Sequence, residues 1–186
     1  VLLNWEYAFC VWMADQGYTQ ILKGNEEYDL CKRFNTSFED AKAKVRTFNA
    51  SAAMGFLPAL RDARYYVKRL HEELGYDFHC VTSLGLDPSA KKLRQMNLDK
   101  LFGPTAFSVL ECLDTNASKE AALEKYRDTG YYWIEDKFSN AIAGQAVGMK
   151  PILIEHGWNM NEVIPNGMKK VTTWKELYNY IVEHGG

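Results

Sequence analysis

No apolar run among the 186 residues approaches the roughly 18–20 needed to cross a bilayer. No charged-then-apolar leader of the signal-peptide kind opens the sequence either, so no membrane partner is expected. Neither sign of charge dominates. Lys and Arg number 22 against 24 Asp and Glu, a formal net charge of −2. The two signs are interspersed, which leaves no basic stripe for a nucleic acid polymer. Cys10, Cys31, Cys80 and Cys112 stand far apart with no C-x-x-C pair, which argues for reduced, mostly buried thiols in a cytoplasmic protein. Internal repeats and low-complexity tracts are missing too. So is an initiating Met: the sequence opens Val1-Leu2-Leu3, as though cut from something longer.

What is present suits one domain, or one domain with a small insertion. Apolar residues make up 47% of the chain, enough for a real core. Residues 4 to about 57 read as an aromatic helical module. Trp5, Phe9 and Trp12 share one helical stripe before Gly17. Glu26 to Phe34 and Ser37 to Ala53 read as two further helices, the second opened by Ser37 and Glu39-Asp40.

From Pro58 the pattern alternates helix and strand. Leu60, Ala63, Val67, Leu70 and Leu74 make one helical face closed by Gly75. Phe78–Val81, Ala106–Leu110, the run ending at Glu135, and Pro151–Ile154 read as strands. Asp87-Pro88 opens a helix ending near Gly103, Ser118 to Thr129 is a second, and Asn140 lies on a third. Thr173 and Glu176 form a capping box for the last helix, through Glu183. Such alternation predicts an α/β fold with a doubly wound parallel sheet.

The most informative stretch is Tyr131-Tyr132-Trp133-Ile134-Glu135-Asp136, followed by Lys137-Phe138-Ser139-Asn140. An apolar run ending in two adjacent carboxylates places acidic groups at a strand's carboxyl end, where open α/β sheets bind ligands. Paired carboxylates there repel unless a cation or proton sits between them, and hard oxygen ligands beside a phosphate suit Mg²⁺. Acidic residues at a helix start also simply complement its dipole. Thr82-Ser83 closes the first strand and offers hydroxyls and backbone N–H groups to an anion, as an ordinary Ser/Thr turn also would. Lys119 stands in the first turn of its helix, where the dipole disfavours a cation. It is either a solvated surface lysine or a group that neutralises a phosphate.

Taken together, Thr82, Lys119, Asp136 and Asn140, in that order, resemble the haloacid dehalogenase (HAD) superfamily of phosphotransfer enzymes. The step from Lys119 to Asp136 has the length usual in that family. Gly144, Gly148 and the strand Pro151–Ile154 match its helix-to-strand return, and the resemblance covers nearly the whole chain. A narrower likeness is to the 5′(3′)-deoxyribonucleotidase branch, on Val1-Leu2-Leu3-Asn4-Trp5-Glu6, Cys80-Val81-Thr82-Ser83, Gly55-Phe56-Leu57 and Ile134-Glu135-Asp136-Lys137.

The resemblance implies a HAD-like Rossmannoid core at 58–186 under a small helical cap at 1–57. It implies a Mg²⁺-dependent hydrolase of a small-molecule phosphomonoester, such as a (deoxy)nucleoside monophosphate. Thr82 and Ser83 would then bind phosphate, Lys119 would neutralise its charge, and Asp136 would hold Mg²⁺, with Glu135 supporting it from behind or reaching the ion through a water. Asn140 would orient Lys119 or the acidic loop. Trp5, Phe9 and Phe56 would offer a stacking surface for a base, or pack the module's own core. His156-Gly157-Trp158-Asn159 follows a strand at the same edge and is a candidate to line the site, but a turn histidine reads as structural, which leaves His156 out of the catalytic set.

The family's first motif, D-x-D-G, would precede Val1. It carries the nucleophile, the general acid/base and the central strand of the sheet, so an upstream segment, or another segment or chain in its place, is expected. The alternatives are a catalytically inactive HAD-like binding protein, or another HAD hydrolase (sugar phosphatase, dehalogenase or phosphonatase).

Overall fold

The computed structural model describes residues 1–24 and 27–185. Three helices come first: α1 (Trp5–Asp15), α2 (Leu30–Phe34) and α3 (Phe38–Asn49). Asn4 caps α1 by accepting from Tyr7 N–H, and Ser37 caps α3 by accepting from Asp40 N–H. The helix expected from Glu26 is shorter. It starts at Leu30 with Asp29 as its cap, and Glu26 itself lies outside the described residues. The α-helix expected to reach Ala53 stops at Asn49, and a separate 3-10 turn covers Ala52–Gly55.

Beyond it come α4 (Ala63–Leu74), β1 (Phe78–Thr82), α5 (Pro88–Phe102), β2 (Phe107–Cys112) and α6 (Glu120–Leu123). Then follow β3 (Tyr132–Glu135), α7 (Phe138–Ala146), β4 (Lys150–Ile154), β5 (Lys169–Val171) and α8 (Trp174–His184). Gly75 ends α4 in the left-handed region at φ 71°, a conformation glycine adopts without a Cβ clash. The expected helix Ser118–Thr129 keeps one α-turn and continues as a 3-10 turn over Glu124–Tyr126.

The pairings among β1–β5 are all parallel, as the alternation of strand and helix requires, while Leu3 and Ala59 make an isolated antiparallel bridge. They form two sheets rather than the one expected: β1 with β2, and β3-β4-β5. β1 and β3 lie between the same two layers. On one side Val81 and Trp133 pack with Leu123, Tyr126, Ala143 and Val147 from α6, α7 and their flanks. On the other, Phe78, Cys80, Tyr132 and Ile134 pack against a core drawn from α4, α5 and α8. No hydrogen-bonded ladder joins β1 to β3 among the described residues. Each therefore has one unpaired edge within a common layered core.

The aromatic centre of the helical module is continuous with that core. Phe9 stacks on Trp5 at 4.6 Å and meets Phe34 and Phe48 edge-on, and all but Trp5 are buried in the cluster that holds Leu98 and Phe102. The four cysteines are free, half-buried thiols. No helix is long and apolar enough to cross a membrane among the described residues.

Candidate functional site

The carboxyl ends of β1 and β3 carry the polar residues singled out by sequence. Thr82 is the last residue of β1, and its carbonyl accepts from Leu113 N–H at 2.9 Å. Ser83 turns toward the loop before α6, its Oγ donating to Ala117 carbonyl at 2.9 Å. That bond brings the end of β1 against the segment bearing Lys119. Both Thr82 and Ser83 keep partial exposure.

Lys119 is not a solvated surface lysine. Its side chain is 14% exposed, lies over the Trp133 ring at 5.4 Å, and its Nζ donates to Glu135. Glu135 is 2% exposed. Besides Lys119 its carboxylate accepts from Asn140 Nδ2 at 3.2 Å and from the N–H groups of Asp136 and Lys137 at 3.1 and 3.4 Å. Four donors thus converge on two oxygens. A carboxylate so engaged is a structural acceptor that fixes Lys119, and both its oxygens are occupied by protein donors. Asn140 acts on the same acceptor, and its carbonyl accepts from Trp133 Nε1 at 2.9 Å.

Asp136 points the other way. Its Oδ2 lies 3.3 Å from the Val1 ammonium and 3.9 Å from His156 Nε2. Burial pulls its pKa up, but the ammonium, His156 and Lys119 outweigh that and hold the carboxyl at about 2. Opposite charge nearby favours the ionised form. Burial pushes His156 down to about 4 against the pull of Asp136, so the imidazole is neutral near pH 7.

His156, expected at this edge but read as a structural turn residue outside the catalytic set, sits beside Asp136. It stacks on Trp158 at 4.4 Å, and Tyr28 from the helical module meets Trp158 at 5.5 Å. Asn159 Nδ2 donates to the carbonyls of Asp136 and Ile154 at 2.7 and 2.9 Å, clamping that loop. The sequence signal for this group was the strand ending at Ile154 with a ring-rich turn after it.

The three aromatic residues expected to stack on a base are scattered. Phe9 is 1% exposed and belongs to the core. Phe56 is 65% exposed and packs by Lys100 at 5.3 Å, in the last turns of α5 rather than the first turn beside the strand ends. Trp5 is held by Asn49, whose Oδ1 accepts from its Nε1 at 2.8 Å while Asn49 Nδ2 donates to Leu84 carbonyl at 3.0 Å.

Mg²⁺ takes about six oxygen ligands at near-octahedral geometry, usually one or two carboxylates with waters and phosphate oxygens. Here Asp136 offers one carboxylate and Glu135 is filled by protein donors. No group of three or more His, Cys, Asp or Glu among the described residues is placed to hold a metal ion. The described residues do not by themselves make a Mg²⁺ site.

No family model matches the chain. It is similar to a protein of Enterobacteria phage T4, an "Uncharacterized 32.4 kDa protein in Gp30-rIII intergenic region", with 31% identity over 153 residues. The match takes in 80% of this chain and 52% of the phage protein. The chain therefore spans about half the length of that relative.

Proposed function

We propose that this chain forms the helical module and most of the core of a HAD-type phosphomonoesterase acting on small phosphate esters, nucleoside monophosphates among them. The observation that supports it is the placement of Lys119 and Asp136. A largely buried ammonium, held by Glu135, and the Asp136 carboxylate beside His156 stand at strand carboxyl ends, with Thr82 and Ser83 closing the neighbouring strand. Preorganised charge of this kind lowers the barrier to phosphoryl transfer.

In this reading a parallel strand lies between β1 and β3, joins the two sheets, and brings the attacking carboxylate to the same edge. Thr82 and the backbone N–H groups after it bind a phosphate oxygen. Lys119 offsets the charge shared between nucleophile and phosphoryl oxygens, and Glu135 acts through Lys119. Asp136 is this chain's contribution to Mg²⁺ binding, with further ligands supplied by the added strand and the substrate.

The test is phosphate release from nucleoside monophosphates and sugar phosphates with Mg²⁺. It compares the 186-residue chain with a longer form carrying a D-x-D-G strand ahead of Val1. Activity is expected in the longer form and should vanish in its Asp136→Asn variant. Inactivity of a folded longer form on the whole panel would favour a binding protein. Turnover by the 186-residue chain alone would place the nucleophile elsewhere.

A further inference from the structure

Arg94 is a buried charge with no counter-charge among the described residues. It lies on α5, is 9% exposed, and its Nε is fully enclosed without a hydrogen-bond partner. The nearest titratable groups are the thiols Cys80 of β1 and Cys112 of β2. Arg33, buried to a similar degree and with its Nε likewise unpartnered, differs in having a counter-charge: Glu6 Oε1 stands 3.0 Å from its Nη2, and Cys10 Sγ accepts at 3.1 Å.

The carboxylates near Arg94 along the chain and on its packing partners are committed elsewhere. Asp87 caps α5, Asp99 accepts from Gln95, Glu111 pairs with Lys125, and Asp77 accepts from Ser108. A guanidinium does not give up its proton in a protein, and an uncompensated buried charge is strongly destabilising.

Arg94 lies over the β1–β2 pair, with Cys80 of β1 the thiol its charge acts on most, and β1 is the strand of that pair with an unpaired edge. β1 is hydrogen-bonded to β2 on one side, and its other edge faces the layer it shares with β3. A strand added there would lie about 4.8 Å from β1. Side chains on its α5-facing side would stand next to Cys80, within reach of the guanidinium.

We propose that the strand lying between β1 and β3 carries an aspartate or glutamate on its α5-facing side, beside Cys80, and that this carboxylate forms a buried ion pair with Arg94. The inference rests on the reading above that a strand occupies that position. The pair sets the register of the strand. A slip of one residue sends the acidic side chain to the opposite face, and a slip of two moves it about 6.6 Å along the strand. Either slip strands both charges, so one arrangement is favoured. Arg94 is thus a positioning residue, fixing which residue of the strand arrives level with Thr82 and Asp136.

The experiment joins a nine-residue Val/Ile/Thr strand to Val1 through a short Gly/Ser linker. Glu or Gln stands at the single position beside Cys80, and each version is made with Arg94 and with Arg94→Met. Amide exchange at Val81 and Ile134, whose N–H groups face the open edges of β1 and β3, reports docking, and thermal unfolding reports stability. With Arg94, the Glu strand should dock roughly tenfold or more tightly than the Gln strand. In Arg94→Met that preference should disappear or reverse.

Equal docking of Glu and Gln strands, or a preference that survives Arg94→Met, would overturn the ion pair while leaving the strand in place. Failure of every version to protect either β-strand would instead overturn the strand itself. The chain without any added strand gives a separate readout. There Arg94→Met removes an uncompensated charge and should raise the unfolding temperature, whereas a fall would show that Arg94 already has a partner.

Discussion

Glu135 and Lys119 form a buried ion pair whose halves are unequally supported, and that inequality orders two substitutions. The Glu135 carboxylate has Lys119 and three further donors, from Asn140, Asp136 and Lys137. Lys119 Nζ has Glu135 as its hydrogen-bonded acceptor and otherwise faces the Trp133 ring. Glu135→Gln leaves an ammonium without its carboxylate in a largely buried place and turns an amide NH₂ toward existing donors. Breaking a buried pair in this way costs about 3–5 kcal/mol. Asp136 lies within electrostatic reach of Lys119, so the lower end, about 3 kcal/mol, is expected.

Lys119→Met keeps the methylenes on Trp133 and leaves the carboxylate with three donors. Its loss is one charge-assisted hydrogen bond, about 1.5–3 kcal/mol. Against a total stability of roughly 5–15 kcal/mol, both changes are measurable by urea unfolding, read as midpoints at a common slope. Glu135→Gln should have the lower midpoint. Equal midpoints, or a more severe Lys119→Met, would show that Glu135 is not the anchor on which the lysine depends.

Two further expectations follow from burial and titration. Phe9→Ala should lose about 3–5 kcal/mol, as buried Phe truncations do, while Phe56→Ala should stay within about 0.5 kcal/mol; thermal unfolding of both decides whether either ring is structural. His156 titrates at about 4 in the folded chain against an ordinary 6.5, so the unfolded state binds more protons between those values. Stability is therefore lost as pH falls from about 6.5 to about 4, by up to about 3 kcal/mol. A His156→Asn variant should flatten that part of the pH–stability curve, and an unchanged slope would assign it to other groups.

Elements announced by local chemistry were legible in the sequence. Ser37, Asp87 and Thr173 start helices where their side chains accept a free N–H. The apolar runs ending at Thr82, Glu135 and Ile154 are strands. β5 gave no signal because three residues with two lysines on a sheet edge carry no apolar pattern. α6 is short because the chain turns away at Arg127 and Asp128, the latter at φ 59°, an angle no propensity argument anticipates.

Within the candidate site, Thr82, Lys119, Asp136 and Asn140 were legible as strand-end and helix-start residues. The division of labour between Glu135 and Asp136 was not, since adjacent residues of a strand point to opposite faces and only the tertiary donors show which oxygen is filled. His156 and Trp158 were visible as a ring-rich turn at the sheet edge, but Tyr28 meets Trp158 from a distant segment, so no spacing rule finds that contact. Phe9 and Phe56 look equivalent in sequence, yet one fills the core and the other lies beside Lys100.

The aromatic module and the strand ends are held together by polar contacts rather than by a shared binding pocket. Asn49 joins Trp5 to Leu84, two residues after Thr82. At the other edge Arg61 adopts φ 47°, a left-handed conformation that costs a non-glycine residue roughly 1–2 kcal/mol. Its guanidinium offsets that cost by donating to Thr172 carbonyl at 2.5 Å and Glu155 carbonyl at 3.0 Å. Asp62 next to it accepts from Trp174 and Lys175 N–H groups at 3.1 and 3.0 Å. The strained turn thus seats the start of α4 against the carboxyl ends of β4 and β5 and fixes the loop that carries His156. The first tether belongs to the helical module and the second to the core at the start of α4, and each ends within two residues of a candidate site residue, Thr82 or His156. A shift of the helical module would therefore be felt at the end of β1 through the Leu84 carbonyl, without any module side chain having to touch a substrate.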